Sequence, residues 1–392
     1  MVIMQCRYTA LQEALAGYDK TGVPLVAYNG KALLPAGFSD DIGTYYFIPK
    51  IAHTFSLSIT QSINIFFVGM LLISLILSVT GFFLLFRSWT SRFISVVGLL
   101  GLAFLAFRIG DVYLIFVYTI LSLIPIFLYL IQNEKLKTIF TAFIFLSGIG
   151  IGTAHYSRSH AGTAVLIFLI IMLMLYLKRG WREKLGLVAL LLVGFSVSAI
   201  YFNALLSHRE TYLVLNQPNY KPVVGSHPFW HSVYIGFGFL NNDYGIKYSD
   251  SSAFNKVRSI SPKTIYLSQE YETILKGEVI KIVKYDRHFV VYTAFAKIGV
   301  AFFYLLVCAN IGLLASIFYP KGWSMELAFW LAIGFNALFG ILVVPSSAYF
   351  LGFIALATVY GITSIGYAIQ QGALSDIKNF MHRKEIQIRQ TT

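Results

Sequence analysis

Apolar runs of membrane-crossing length recur along this chain and decide what it can become. A helix crosses the hydrocarbon core of a bilayer in roughly 17–25 residues. Nine segments reach or approach that length: Ile65–Phe86, Phe93–Phe107, Val112–Ile131, Ile139–Ala154, Ala161–Leu177, Leu185–Leu206, Ile298–Phe318, Leu327–Val344 and Ala348–Ile369. Of the 392 residues 57% are hydrophobic and only 12% are charged, against about 25% charged in a soluble domain. These runs exclude a soluble globular fold, a disordered chain and a fibrous repeat. The expected fold class is all-α: a polytopic transmembrane helical bundle of about nine spans with one large external loop.

The net charge of +13 has a membrane explanation, and no nucleic-acid partner is expected. Arg87 and Arg92, Lys135 and Lys137, the group Lys178, Arg179, Arg182 and Lys184, Lys321, and the tail residues Lys378, Arg383, Lys384 and Arg389 all fall on one side of the alternating short connections. The short connections on the other side hold only Arg108 and Arg158. Cytoplasmic loops carry the excess of Lys and Arg, which puts the first set and the C-terminus in the cytoplasm. The chain then divides into an external N-terminal segment (1–60), membrane helices (61–206), an external loop domain (207–288), membrane helices (289–370) and a basic tail (371–392). In the tail, Leu374, Ile377, Phe380 and Met381 recur at helical spacing, as in a helix lying on anionic membrane lipids. Residues 1–50 hold no spanning run and no signal-peptide pattern. Either the first spanning helix exports this segment, or a further helix precedes it. Cys6 and Cys308 are too few for a disulfide framework or a zinc site.

The polar residues that solubility does not explain collect on the external face. Asp40 and Asp41 are adjacent and precede the aromatic stretch Tyr45–Ile48. Their repulsion raises one pKa toward that of a base, or a shared divalent cation relieves it; the plainer reading is a solvated turn with an Asp helix cap. Asp111, in Arg108-Ile109-Gly110-Asp111, is a helix cap or, if it faces the bundle, a second acid. His155-Tyr156-Ser157-Arg158-Ser159-His160 is either an interfacial hairpin turn or an anion site in which Arg158 and His160 hold phosphate. The long loop opens with Arg209 and carries His227, Trp230, His231 and Tyr234 in an aromatic stretch. Such a stretch suits sugar rings or forms an interfacial aromatic belt. Ser261–Lys284 reads as one amphipathic helix begun at Ser261-Pro262, with Tyr266, Ile274 and Ile282 on its apolar face. Lys297, at the external end of the seventh run, either snorkels or contacts phosphate. The chain has no P-loop, G-x-S-x-G, H-E-x-x-H or CxxC motif. No internal repeat is visible, which argues against an inverted-repeat transporter.

Ser39-Asp40-Asp41-Ile42-Gly43-Thr44-Tyr45-Tyr46, with Asp111 further on and a large external loop, resembles the GT-C superfamily of integral-membrane glycosyltransferases across residues 35–115. The resemblance implies a sugar donor on a polyprenyl phosphate or diphosphate and chemistry on the external face. It implies Asp40 or Asp41 as base or metal ligand, Asp111 as a second acid, and a divalent cation (Mg or Mn) held by Asp40, Asp41 and Asp111. The acceptor would be a glycan, a lipid or a protein. Two features depart from that family: no helix precedes the acidic loop, and the acids are adjacent where spaced pairs are common. A second stretch, Tyr156-Ser157-Arg158-Ser159-His160-Ala161-Gly162, is similar to O-antigen ligases and polymerases. Those enzymes are metal-independent and would use Arg158, His160, Arg209, His227 and His231. The expected function is a membrane glycosyltransferase with Asp40 or Asp41 as base and Arg158, His160, Lys297 and Arg209 toward the donor phosphate. His227, Trp230, His231 and Tyr234 would meet sugar or acceptor. A transporter or flippase for a lipid-linked solute is the alternative from another class.

Overall fold

The computed structural model describes residues 5–37, 41–112, 114–133, 136–218, 220 and 229–376. Asp40, His227 and most of the basic tail lie outside them. The chain forms α1 (Gln5–Thr21), a short antiparallel hairpin β1 (Val26–Tyr28) and β2 (Leu33–Pro35), and then α2 (Ile42–Thr54), α3 (Ile59–Leu85) and α4 (Trp89–Ile109). Next come α5 (Ile115–Leu121), α6 (Ile124–Gln132), α7 (Lys137–Ser157), α8 (Thr163–Ile171) with a π-helical last turn to Tyr176, and α9 (Trp181–Asn216). They are followed by α10 (Phe229–Gly236), α11 (Asp250–Ile260), α12 (Gln269–Tyr285), α13 (Arg287–Ala309), α14 (Ile311–Phe318), α15 (Trp323–Leu342) and α16 (Leu351–Gln370). Among the described residues the fold is helical apart from this hairpin, which apolar spacing did not announce.

Among the described residues eight helical segments are long and apolar enough to cross a membrane, with α5 and α6 counted as one. The chain is a multi-pass membrane bundle. The α5–α6 segment and α16 form its centre: 72% and 78% of their apolar windows are buried, against 22–28% for α3, α4, α9 and α13. The fifth expected run, Ala161–Leu177, forms only a shorter apolar helix, Thr163–Tyr176. Its neighbours α7 and α9 run parallel. A Cβ on Gly148 would strike the Leu191 carbonyl, and one on Gly152 would strike Phe195 and Ser198. Ser198 Oγ also donates to the Ile149 carbonyl at 2.9 Å. Glycine at both positions lets the two backbones touch. Because α7 and α9 start level and point the same way, residues 158–180 must return the chain over the same height.

Side-chain pairs align the remaining helices. The Phe168 and Phe329 rings lie 4.7 Å apart, Gly98 packs on Ile362, and Gly340 packs on Phe350. The starts of α4, α9 and α15 therefore share one end of the bundle. Each begins with a highly exposed tryptophan: Trp89, Trp181 and Trp323. Arg92 and Arg182 lie over the first two rings, at 5.7 Å in each case. A tryptophan row flanked by arginines is what the edge of a bilayer selects.

Three expected boundaries shift. Helix α9 runs on through Ser207 to Asn216, roughly 54 Å in all at 1.5 Å per residue. The region after the expected span thus opens as a helix and not as a loop. Helix α13 starts at Arg287, and Asn310, at φ 44°, breaks it from α14. Ser261–Lys284 is not one helix. Ser261 caps the end of α11, and α12 starts at Gln269 because Ser268 accepts from the Tyr271 N–H. Tyr266 lies in the turn between them.

Candidate functional site

The end of the bundle opposite the tryptophans carries four of the polar residues singled out from sequence: Asp41, Asp111, Arg158 and His160. Asp41 occupies the N-cap position of α2, although its side chain accepts no bond from the first turn. It is 2% exposed. Two residues on, Gly43 lies flat against Ser157, and a Cβ there would come within 2.9 Å of the Ser157 Cα. Thr44 Oγ1 donates to the Ser157 carbonyl at 3.1 Å. The helix led by Asp41 is thereby fastened to the last turn of α7, one residue before Arg158. Asp111, also buried, follows the left-handed Gly110 that ends α4. Its neighbour Val112 packs in the same apolar cluster as Ile42.

Arg158, Ser159, His160 and Ala161 line a cavity of about 140 Å³. Leu114 and Val117 come from α5 and the turn before it, and Phe229, Ser232 and Val233 from α10. Asn336, Phe339, Leu342 and Val343 come from α15 and its end, with Tyr349 and Gly352 beyond. His160 has φ 63°, a left-handed conformation that costs a non-glycine residue about 1–3 kcal/mol and concentrates at ligand sites. That backbone turns the imidazole between His155 and Phe339, with ring centroids at 5.7 and 5.6 Å. Asn336 is 7% exposed, and its Nδ2 has no hydrogen-bond partner among the described residues.

A helical cap closes the cavity from above. Glu272, itself buried, accepts from the backbone N–H groups of Trp230 (2.7 Å) and His231 (3.1 Å) and so fixes the start of α10. His231 stands between the Tyr271 hydroxyl (2.8 Å from Nδ1) and Asp250 (3.1 Å from Nε2). These bonds hold one face of α10, leaving Phe229, Ser232 and Val233 toward the cavity. Tyr248 joins cap and rim. Burial, and then the hydrogen-bonded Tyr349 hydroxyl, push its phenol well above the usual range, while the nearby Arg158 draws it down.

The other expected residues fall elsewhere. Arg209 sits on the outer extension of α9 and pairs with Glu210, whose second oxygen accepts from Tyr220 at 2.8 Å. Lys297 is 3% exposed, and its ammonium donates to the Val343 carbonyl at 2.8 Å, behind the cavity wall. Trp230 lies under the Lys276 ammonium, 5.7 Å from the ring centroid. His231 and Tyr234 are buried inside the cap, where burial and then Glu278 push the Tyr234 phenol up to about 12. Asn336, Tyr248 and Tyr349 were not singled out from sequence. A lone asparagine inside the apolar run Leu327–Val344 was the available signal, since polar groups inside a membrane helix are expensive and functional by default.

Among the described residues no group of three His, Cys, Asp or Glu side chains is placed to hold a metal ion. Asp41 and Asp111 supply two carboxylates at this end, and Asp40 lies outside the described residues. Comparison with family models, curated proteins and solved structures finds no match.

Proposed function

We propose that the protein is a membrane glycosyltransferase that takes a sugar from a polyprenyl-phosphate or polyprenyl-diphosphate donor on the external face. One observation carries the reading: buried Asp41 heads a helix locked onto Ser157, and the adjoining Arg158 lines a cavity roofed by the cap. In the reaction an acceptor hydroxyl oxygen bonds to the sugar's anomeric carbon as the bond from that carbon to the phosphate oxygen breaks. The hydroxyl proton passes to Asp41 or Asp40, and the lipid phosphate leaves with the bonding pair. Arg158 would meet the charge that develops on the phosphate, where fixed cationic donors are worth most to the rate. The acceptor is a glycan, lipid or protein.

The sidedness belongs to the same proposal. Nine crossings, with Thr163–Tyr176 completing the set, put the tryptophan-lined basic end in the cytoplasm together with the C-terminus. The parallel α7 and α9 support that count. The test is transfer or hydrolysis of a labelled polyprenyl-phosphate sugar by the purified protein in lipid nanodiscs. Asp41→Asn and Asp40→Asn should abolish turnover without altering membrane insertion. Full activity in both variants would remove the acid from the mechanism.

That outcome would favour a second reading, a metal-independent ligase- or polymerase-type transferase. It has its own support: Arg158, Ser159 and His160 line the cavity, and no carboxylate among the described residues does.

A further inference from the structure

Asn336 marks the deep end of the cavity. It lies inward of Leu342 by about 9 Å at 1.5 Å per residue, whereas Arg158 stands at the outer end of α7. Around Asn336 the walls are Leu114, Val117, Phe339 and Gly352. A buried amide nitrogen without an acceptor is destabilising, and an apolar side chain of similar size would avoid that penalty here. Gly352 holds the space open: a Cβ there would fall 2.6 Å from a Val117 methyl and 3.4 Å from the Asn336 carboxamide. The carboxamide presents one donor and one acceptor side by side, and a turn about its Cβ–Cγ bond brings either one to the cavity. Two neighbouring hydroxyls on a pyranose ring offer the complementary pair, and the ring's C–H face suits Phe339.

We infer that Asn336 is the sugar-reading residue of this cavity, hydrogen-bonding hydroxyls of the donor sugar whose phosphate is held at Arg158. The inference rests on the reading of the cavity as a lipid-phosphate-sugar site and adds which part of the ligand goes deepest. Asn336 is a specificity residue, with no part in bond making.

The experiment compares binding of two probes to the full chain in nanodiscs by native mass spectrometry. One is a polyprenyl phosphate, and the other is the same lipid carrying glucose, galactose, mannose or N-acetylglucosamine. The variants are Asn336→Leu and Arg158→Ala. Wild type should bind at least one sugar-bearing lipid more tightly than the bare lipid. Asn336→Leu should bind the bare lipid as wild type does and lose roughly tenfold for that sugar-bearing one. It should melt no lower than wild type, because it removes an orphaned amide. Arg158→Ala should lose both ligands. An unchanged preference for the sugar-bearing lipid in Asn336→Leu overturns the inference and leaves the cavity reading standing. Failure of wild type to bind either lipid overturns both. A fall in thermal stability of Asn336→Leu together with equal losses on both lipids assigns Asn336 a structural role and also overturns it.

Discussion

Thr44 Oγ1 donates a hydrogen bond to the Ser157 carbonyl at 3.1 Å, and that bond joins the acid-bearing and cation-bearing parts of the candidate site. Ser157 Oγ bonds back to Thr153 at 2.8 Å, so the acceptor turn is itself braced. Removing the donor leaves the carbonyl without this partner in a dry contact. Thr44→Val is expected to cost about 1–2 kcal/mol of stability. Gly43→Ala, which drives a methyl onto Ser157, is expected to cost about 1–3 kcal/mol. The alanine should also depress turnover more than its stability loss explains, because it separates Asp41 from Arg158. Thermal unfolding and turnover on the same preparations check both, and a fully active Gly43→Ala would show that the joint does not matter.

At Arg158 the shape of the cation is the issue as well as its charge. A guanidinium meets a phosphate with two parallel bonds, and an ammonium does so as a point charge. Charge-assisted hydrogen bonds are worth about 1.5–3 kcal/mol, so Arg158→Ala should lower kcat/KM by roughly 10–100-fold. Arg158→Lys should recover only part of that. Full recovery by lysine would mean that the residue supplies charge without bidentate geometry.

The bundle was largely legible from sequence, because burial in lipid demands uninterrupted apolar helices and little else competes. Segments such as Leu327–Val344 and Ala348–Ile369 fall close to α15 and α16. Helix ends were less legible where polar and apolar residues mix. Leu185–Leu206 continues to Asn216 because its last turns pack on the N-terminal hairpin, where Leu213 is buried with Val23 and Val26 and the Leu33 N–H donates to Gln217 Oε1 at 3.1 Å. Of the site, the stretch around Arg158 and His160 was readable as charge in the wrong place. Lys297 was not readable in the same way. Sequence showed a cation near a membrane end, and only the fold shows its ammonium bonded to the end of α15. Asn336 depends on which way one helix faces, and spacing alone did not give that.

The cap should respond to acid through Glu278. Burial raises its pKa, but hydrogen bonds from Lys281 at 2.6 Å and Lys256 at 2.9 Å outweigh burial and leave the carboxyl below its ordinary 4.5. A carboxyl with a depressed folded-state pKa adds stability above its unfolded value and loses it as pH falls through the folded one. The packing of α11 on α12 should therefore loosen below about pH 4.5. Glu278→Gln should be weaker at neutral pH and lack that acid-dependent step. Hydrogen exchange over residues 250–285 at pH 6 and pH 4 reads this directly, and an identical pH response in the variant would reject it.

At the opposite end of the bundle, Lys321, Glu326, Tyr360 and Ser364 form a buried polar group. The Lys321 ammonium contacts Glu326 at 2.6 Å and Ser364 Oγ at 2.7 Å and lies 4.3 Å from the Tyr360 ring centroid. Tyr360 donates to the other Glu326 oxygen at 2.9 Å. The group ties α15 to α16, whose outer ends supply Asn336 and Gly352 to the cavity. Removing one member of a buried pair strands the other charge, so Lys321→Met should cost about 3–5 kcal/mol. The double change Lys321→Met with Glu326→Leu leaves no stranded charge and should recover most of that loss. Because the network lies at the far end from Arg158, the double variant should bind polyprenyl phosphate as wild type does. A double variant as unstable as the single one would mean that the pair itself, and not the stranded charge, holds α15 on α16.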